Sequence, residues 1–175
     1  WQTETGGIIV ANTPGQAIKP GSMGRVLPGI EARVVERDVH GVPHTLDGTD
    51  VSGELALVRG WPSMFRAYLG QAERYAKCFH GDLYLTGDLV RRDADGYFWF
   101  LGRSDDVIKT SGHLVGPFEI ERVLMEHAAV VEAAVIGLPD PMAGETVKAF
   151  VALRAGTSPD AALREQLMAH ARRRL

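Results

Sequence analysis

Residues 84–121 read YLTGDLVRRDADGYFWFLGRSDDVIKTSGHLVGPFEIE, and this stretch decides how the rest of the chain is read. Residues 83–91 and 97–101 are rich in Leu, Val, Tyr, Phe and Trp and predict two strands. Asp95-Gly96 between them is a hairpin signal, because short connections need residues that tolerate positive φ. At Arg103-Ser104-Asp105-Asp106 the composition turns polar. Beyond a Ser111-Gly112 turn, Pro117 begins a helix, where its missing N–H would be unpaired in any case. Ile120, Val123, Leu124 and His127 then recur at helical spacing. Several polar residues stand where strands end, as ligand-binding groups tend to.

Working outward, residues 1–25 are rich in Gly, Thr and Pro and predict loop with one short strand, Ile8-Ile9-Val10. Residues 31–36 and 54–58 predict strands. A short helix is predicted over 72–79, between Gly70 and Gly81. On the other side, 130–136 is a β-branched apolar run that predicts a buried strand, and 146–153 predicts another. Ser158-Pro159 caps a last helix with Leu163, Leu167 and Ala171 on one face. The order after Asp106 is therefore strand, helix, strand, strand, helix, which suggests a small α+β domain. No internal repeat or low-complexity tract is visible.

The 175 residues suffice for one medium domain or two small ones. A hydrophobic share of 45% with 23% charged residues is ordinary for a globular protein. A net charge of −3 gives no electrostatic case for a nucleic-acid partner. The single Cys78 excludes an intramolecular disulfide and fits a reducing, cytoplasmic setting. Nothing approaches the roughly 20 apolar residues that span a bilayer, so no membrane partner is expected, and no signal peptide is visible. Both ends look cut, Trp1 inside a motif and Leu175 inside a helix.

Trp1-Gln2-Thr3-Glu4-Thr5-Gly6-Gly7 concentrates hydroxyls, a carboxylate and glycines. Glycines let backbone approach a ligand, Thr hydroxyls can bond a phosphate, and a carboxylate can hold Mg²⁺; alone, such a string is more often a surface turn. In Thr86-Gly87-Asp88, read as a strand end, the carboxylate can accept two sugar hydroxyls, although Asp after a Gly turn is usually turn chemistry. Asp93-Ala94-Asp95-Gly96 lacks the further ligands of a calcium loop and reads as a plain hairpin. Asp105 and Asp106 read as a solvated acidic pair in a loop. None of the six histidines makes a zinc-spaced pair. His127 and Arg172-Arg173-Arg174 suit helix C-termini, where cations are favoured.

The order of these motifs resembles the AMP-forming acyl-CoA synthetases, and among them the acetate-activating type, in the superfamily shared with luciferases and peptide-synthetase adenylation domains. The resemblance extends over essentially all 175 residues, continuing through Val135-Ile136-Gly137-Leu138-Pro139-Asp140 and Gly144-Glu145-Thr146-Val147-Lys148-Ala149-Phe150. It implies an α+β fold in which 1–104 are the end of a large AMP-binding domain, its distorted antiparallel β-barrel part. Residues 105–175 are then a small C-terminal domain truncated before its lysine motif. It implies ATP, Mg²⁺, CoA and a small carboxylic acid, most naturally acetate, as ligands. By the same resemblance Trp1 fills the acyl pocket, and Trp1, Gln2 and Thr3 line the AMP site, with Thr3 on the phosphate. Glu4 binds Mg²⁺, and Asp88 and Arg103 bind ribose. Asp105 is the hinge on which the C-terminal domain turns between half-reactions. Ser111, Gly112 and Arg172 meet CoA, and Met125, His127 and Val130 surround a structural Mg²⁺. Leu114 and Ala143 depart from the family, which often carries basic residues there. The family's Ser-Gly-Lys motif has no counterpart here, and Lys109 and Lys148 lie in other contexts. Alternatives are another acyl or aromatic substrate, a peptide-synthetase adenylation domain, or a non-catalytic remnant.

Overall fold

The computed structural model describes residues 1–175, the side chain of Leu114 excepted. The chain forms two compact units, Trp1–Leu101 and Gly102–Leu175.

In the first unit, a 3₁₀ turn, Thr3–Thr5, precedes β1 (Val10–Ala11) and β2 (Arg25–Val26), which pair antiparallel. Then follow β3 (Ala32–Arg37), β4 (Pro43–Thr45), β5 (Val51–Val58), α1 (Ala72–Lys77), β6 (Phe79–His80), β7 (Leu83–Arg92) and β8 (Phe98–Arg103). The main sheet runs β4-β3-β5-β7-β6, with β8 also on β7. Neighbouring strands whose registers are resolved pair antiparallel. β5 is buried from Glu54 to Leu57 because both of its faces are covered. Leu55 and Leu57 join Val34, Tyr84, Val90, Phe98, Ile9 and Trp61 on one side, while Ala56 meets Val35 and Leu83 on the other. The β7–β8 turn closes through Asp93 N–H to Tyr97 O (2.9 Å) and Gly96 N–H to Asp93 O (2.9 Å). Lys19 Nζ bonds both acidic side chains of this turn, Asp93 at 2.5 Å and Asp95 at 2.7 Å.

Three expectations for this unit need correction. The first short strand is Val10–Ala11, not 8–10, and the helix ends at Lys77, leaving Phe79 to pair with Tyr84 in β6. More consequentially, Thr86-Gly87-Asp88 does not end a strand. Leu85 pairs with Ala56 and Leu89 with Glu54, so these three residues stand opposite Leu55 alone. They form a bulge in the middle of β7, made possible by Gly87 at φ +74°.

The second unit contains β9 (Ile108–Thr110), β10 (His113–Val115), α2 (Pro117–Met125), β11 (Val130–Asp140), β12 (Gly144–Leu153) and α3 (Ala161–Arg174). The sheet order is β10-β9-β12-β11. α2, with Pro at its start, contributes Ile120 and Leu124 to a core with Ile108, Val130, Val135 and Leu167. An apolar groove of about 780 Å³ is lined by Ile120, Leu124, Val147, Val151, Leu163 and Leu167.

Here too the sequence reading is corrected. The order is strand, strand, helix, strand, strand, helix, because 108–115 folds back as a hairpin with Thr110 facing His113. β11 is not a wholly buried strand: Val130 and Val135 are buried, while Val131 and Ile136 are exposed. A β-branched run signals extended backbone but not that both faces are covered. The cap of α3 is Asp160 rather than Ser158-Pro159, and its carboxylate accepts from Leu163 N–H at 2.7 Å.

Candidate functional site

The loop 1–7 folds on itself before it contacts anything else. Thr5 is fully buried, and its hydroxyl lies 2.8 Å from both Gln2 O and Gly7 O, its one proton serving either carbonyl. The carbonyl of Thr5 accepts from Trp61 Nε1 and Ser63 Oγ, both at 3.0 Å. Phe65 N–H donates to Glu4 O at 2.8 Å. Gly6 sits at φ +63°, and a Cβ there would lie 1.9 Å from Ser63 O. The glycine is thus required twice, by its backbone angle and by the approach of the 61–65 segment. This clamp leaves Thr3 exposed, its hydroxyl unbonded among the described residues.

Gln2 joins this loop to the β7 bulge. Its Nε2 donates to Thr86 O (2.9 Å) and Asp88 Oδ2 (2.8 Å), and its Oε1 accepts from Tyr84 O–H (2.8 Å). The bulge is secured from below. Thr86 Oγ1 donates to Leu55 O at 2.7 Å, and Gly87 N–H donates to Glu54 Oε1 at 3.0 Å. Glu54, a buried carboxylate, is held by both arms of Arg37, at 2.7 and 2.8 Å. The sequence reading missed Glu54, Arg37 and Tyr84. The available signal was Glu54 itself, an acidic residue in an otherwise apolar strand, since buried charges require partners.

Glu4 is positioned by Tyr68, whose hydroxyl donates to Glu4 Oε1 at 2.6 Å. Tyr68 belongs to an aromatic cluster in which Phe65 contacts Tyr68, Tyr75, Phe79 and Tyr84 at centroid separations of 5.0–5.9 Å. Burial, followed by the nearby Glu4, holds the hydroxyls of Tyr68 and Tyr84 well above the usual phenol range, so both are donors at neutral pH. Oε2 of Glu4 makes no hydrogen bond among the described residues. No cluster of three or more His, Cys, Asp or Glu converges as a metal cage there or elsewhere among the described residues. One oriented carboxylate without a cage fits Mg²⁺, which commonly takes one or two carboxylates and completes its shell with water and substrate phosphate. Trp1 is exposed.

In the second unit, Arg103 and Asp105 pair with each other, Nε to Oδ1 at 2.9 Å and Nη2 to Oδ2 at 3.2 Å. The guanidinium keeps the Asp105 carboxyl below the usual range. Ser111 and Gly112 form the tip of the β9–β10 hairpin, both at positive φ (+48° and +82°), as a two-residue turn of mirror type demands. Ser111 N–H donates to Ala143 O at 2.8 Å, bringing the 140–144 turn beside it. The Leu114 side chain lies outside the described residues. At the end of α2, Met125 is exposed, and His127 Nδ1 accepts from Ala129 N–H at 3.2 Å. Its carbonyl accepts from Val130 N–H at 2.9 Å. Arg172 is exposed on the last turn of α3, two residues before Arg174, which pairs with Glu126 at 2.6 Å.

Residues 119–175 match the family model of the AMP-binding enzyme C-terminal domain. The chain is 48% identical to an acetyl-coenzyme A synthetase of Bacillus subtilis (strain 168), the match covering 95% of this chain and 28% of that protein. It is 41% identical to an acetyl-coenzyme A synthetase of Pyrobaculum aerophilum, over 99% of this chain and 26% of the relative. Among solved structures, ATP-bound MatB from Rhodopseudomonas palustris superimposes with a TM-score of 0.84 at 32% identity, covering 100% of this chain and 33% of that one. A benzoate CoA ligase from Burkholderia xenovorans gives 0.82 at 34% identity, with 100% and 33% covered. The chain thus spans about a quarter of the length of these two synthetases.

Proposed function

Because this chain belongs to the AMP-forming acyl-CoA synthetases of the acyl-adenylate-forming enzymes, we propose that the polypeptide carrying it is an acetate–CoA ligase. In the first step an acetate oxygen attacks the α-phosphorus of ATP, and pyrophosphate leaves, giving acetyl-AMP. In the second, the CoA thiol, losing its proton, attacks the acetyl carbonyl and AMP leaves. No covalent enzyme intermediate is required, so catalysis rests on positioning and charge stabilisation.

The observation that carries this reading is the Gln2 bridge. It ties a loop bearing an exposed hydroxyl (Thr3) and an oriented carboxylate (Glu4) to a bulge bearing a second carboxylate, Asp88. A phosphate-facing end and a sugar-facing end on one framework are what an adenylate needs. Thr3 bonds the α-phosphate, Glu4 holds Mg²⁺, and the Asp88 carboxylate accepts from the ribose hydroxyls; Arg103 is the second ribose residue, as a donor. Bound Mg²⁺ offsets the phosphate charge. Trp1 bounds the acyl pocket and sterically favours acetate over longer acids. Asp105 is the hinge. Ser111, Gly112 and Arg172 receive CoA, and Met125, His127 and Val130 hold a structural Mg²⁺. Residues 1–104 are the end of the large domain and 105–175 most of the small one. The 175-residue chain, lacking the family's lysine motif, is inactive by itself.

The test is pyrophosphate release dependent on ATP and on each of acetate, propionate and benzoate. The longer polypeptide should prefer acetate, and the 175-residue chain should release none. A preference for benzoate would replace acetate by an aromatic substrate, and release by the short chain would refute its assignment as an incomplete piece.

A further inference from the structure

Gln2 stands in the motif expected to meet the nucleotide, yet its side chain is already committed. Its amide nitrogen has two hydrogens, and both are used, on Thr86 O and Asp88 Oδ2. Its oxygen takes the Tyr84 proton. The amide orientation is unambiguous, because turning it over would set Oε1 against two acceptors, the Thr86 carbonyl and the Asp88 carboxylate. Tyr84 anchors the amide oxygen from a fixed position. It is 4% exposed, and its ring is wedged against Phe65 and Phe79 at 5.6 and 5.7 Å. A rigid aromatic cluster thus fixes a hydroxyl, the hydroxyl fixes an amide, and the amide fixes one oxygen of a carboxylate that sits on a bulge.

We propose that Tyr84 and Gln2 are positioning residues that aim the Asp88 carboxylate at the ribose diol, and that the Gln2 side chain is not itself a nucleotide ligand. This rests on the reading of Asp88 given above. A carboxylate can accept two vicinal hydroxyls at once only if its plane is held, and a bulge alone leaves the side chain rotatable. The Nε2 bond to Oδ2 fixes where one oxygen of that carboxylate stands. Tyr84→Phe retains the ring but leaves Gln2 Oε1 without its donor, loosening the amide that holds Asp88 Oδ2.

The experiment compares ATP with 2′,3′-dideoxy-ATP in the polypeptide carrying this chain, by equilibrium binding and by KM and kcat for pyrophosphate release. The variants are Tyr84→Phe, Gln2→Met, Asp88→Ala and the Tyr84→Phe/Asp88→Ala double. Gln2 is partly exposed, so Gln2→Met remains informative if Tyr84→Phe fails to fold. The expected result is a strong preference for ATP that Asp88→Ala abolishes. Tyr84→Phe and Gln2→Met should each erode it by roughly tenfold to a hundredfold, the worth of a hydrogen bond to a charged acceptor. The loss should fall on ATP and not on the dideoxy nucleotide, and Tyr84→Phe should add nothing once Asp88 is gone. If Asp88→Ala abolishes the preference while Tyr84→Phe and Gln2→Met keep it, the positioning role is wrong and the ribose assignment stands. If Gln2→Met weakens both nucleotides equally, Gln2 is a direct ligand and the proposal is overturned. If Asp88→Ala leaves the preference intact, the ribose assignment itself fails and takes the proposal with it.

Discussion

Gly6 and Gly7 are adjacent, identical in type and part of one motif, yet alanine should be costly at the first and nearly neutral at the second. At Gly6 the backbone lies at φ +63°, which costs an L-residue about 1–2 kcal/mol. The added Cβ would stand 1.9 Å from the Ser63 carbonyl oxygen, a contact no rotamer can relieve. The loop 1–7 and the 61–65 segment must separate, which breaks the bonds from Trp61 Nε1 and Ser63 Oγ to Thr5 O and from Phe65 N–H to Glu4 O. Each is worth about 0.5–1.5 kcal/mol, so Gly6→Ala should cost about 3–6 kcal/mol in all, a large fraction of a typical domain's stability. At Gly7 φ is not positive, and the nearest atom to an added Cβ, Ser63 Oγ, is 3.8 Å away. Gly7→Ala should therefore stay within roughly 0.5 kcal/mol of the parent. Urea unfolding of the 175-residue chain followed by tryptophan fluorescence measures the difference cleanly. All three tryptophans, Trp1, Trp61 and Trp99, lie in the first unit. Equal midpoints for the two variants, or a Gly6→Ala cost under about 1 kcal/mol, would show that the clamp does not form in solution.

Arg37→Met leaves the buried Glu54 carboxylate with Gly87 N–H as its one remaining hydrogen-bond partner among the described residues. Removing a partner from a buried pair costs 3–5 kcal/mol; Arg37 is 46% exposed, so water compensates in part and about 1–3 kcal/mol is expected in the same urea assay. Asp160→Ala removes the acceptor for Leu163 N–H; α3 should fray, losing about 1 kcal/mol, seen as faster amide exchange at Leu163. The bond from Lys19, the largest influence on Asp93, holds that carboxyl well below the usual carboxylate range. A folded-state pKa below the unfolded one contributes stability that is complete above about pH 4 and is lost as the pH falls through the folded value. Asp93→Asn should accordingly flatten the acid limb of the unfolding midpoint between pH 6 and pH 2, and an unchanged slope would show that this pair is not linked to folding.

The longer strands of the first unit, β3, β5, β7 and β8, were legible in the sequence because a few consecutive residues encode them, whereas the short β2, β4 and β6 were not read. The Asp95-Gly96 turn was legible for the same reason, as was the Pro117 start of α2. The mixed α+β character followed from that order of elements. The same local reading misplaced the cap of α3 by a residue or two, since Ser158, Pro159 and Asp160 all suit a helix start and only the bond to Leu163 N–H distinguishes them. It also missed the β9–β10 hairpin, whose strands have three residues each, too few for a period to register.

The candidate site divided along another line. The sequence by itself determined which residue types are present: hydroxyls and a carboxylate in the 1–7 loop, a second carboxylate beside Gly87, and an Arg-Asp pair where composition shifts. Only the tertiary structure decided what each one touches. Gln2 and Asp88 are 86 residues apart, and Thr5 and Trp61 are 56 apart; no local pattern encodes a hydrogen bond across such a span. That Thr86-Gly87-Asp88 is a bulge and not a strand end depends on Leu85 and Leu89 finding Ala56 and Glu54 on another strand. That the Tyr84 hydroxyl reaches Gln2, while its ring fills a core, depends on where burial leaves it. Propensity and period are properties of neighbours along the chain, whereas the aim of a side chain is set by atoms that folding alone brings within 3 Å.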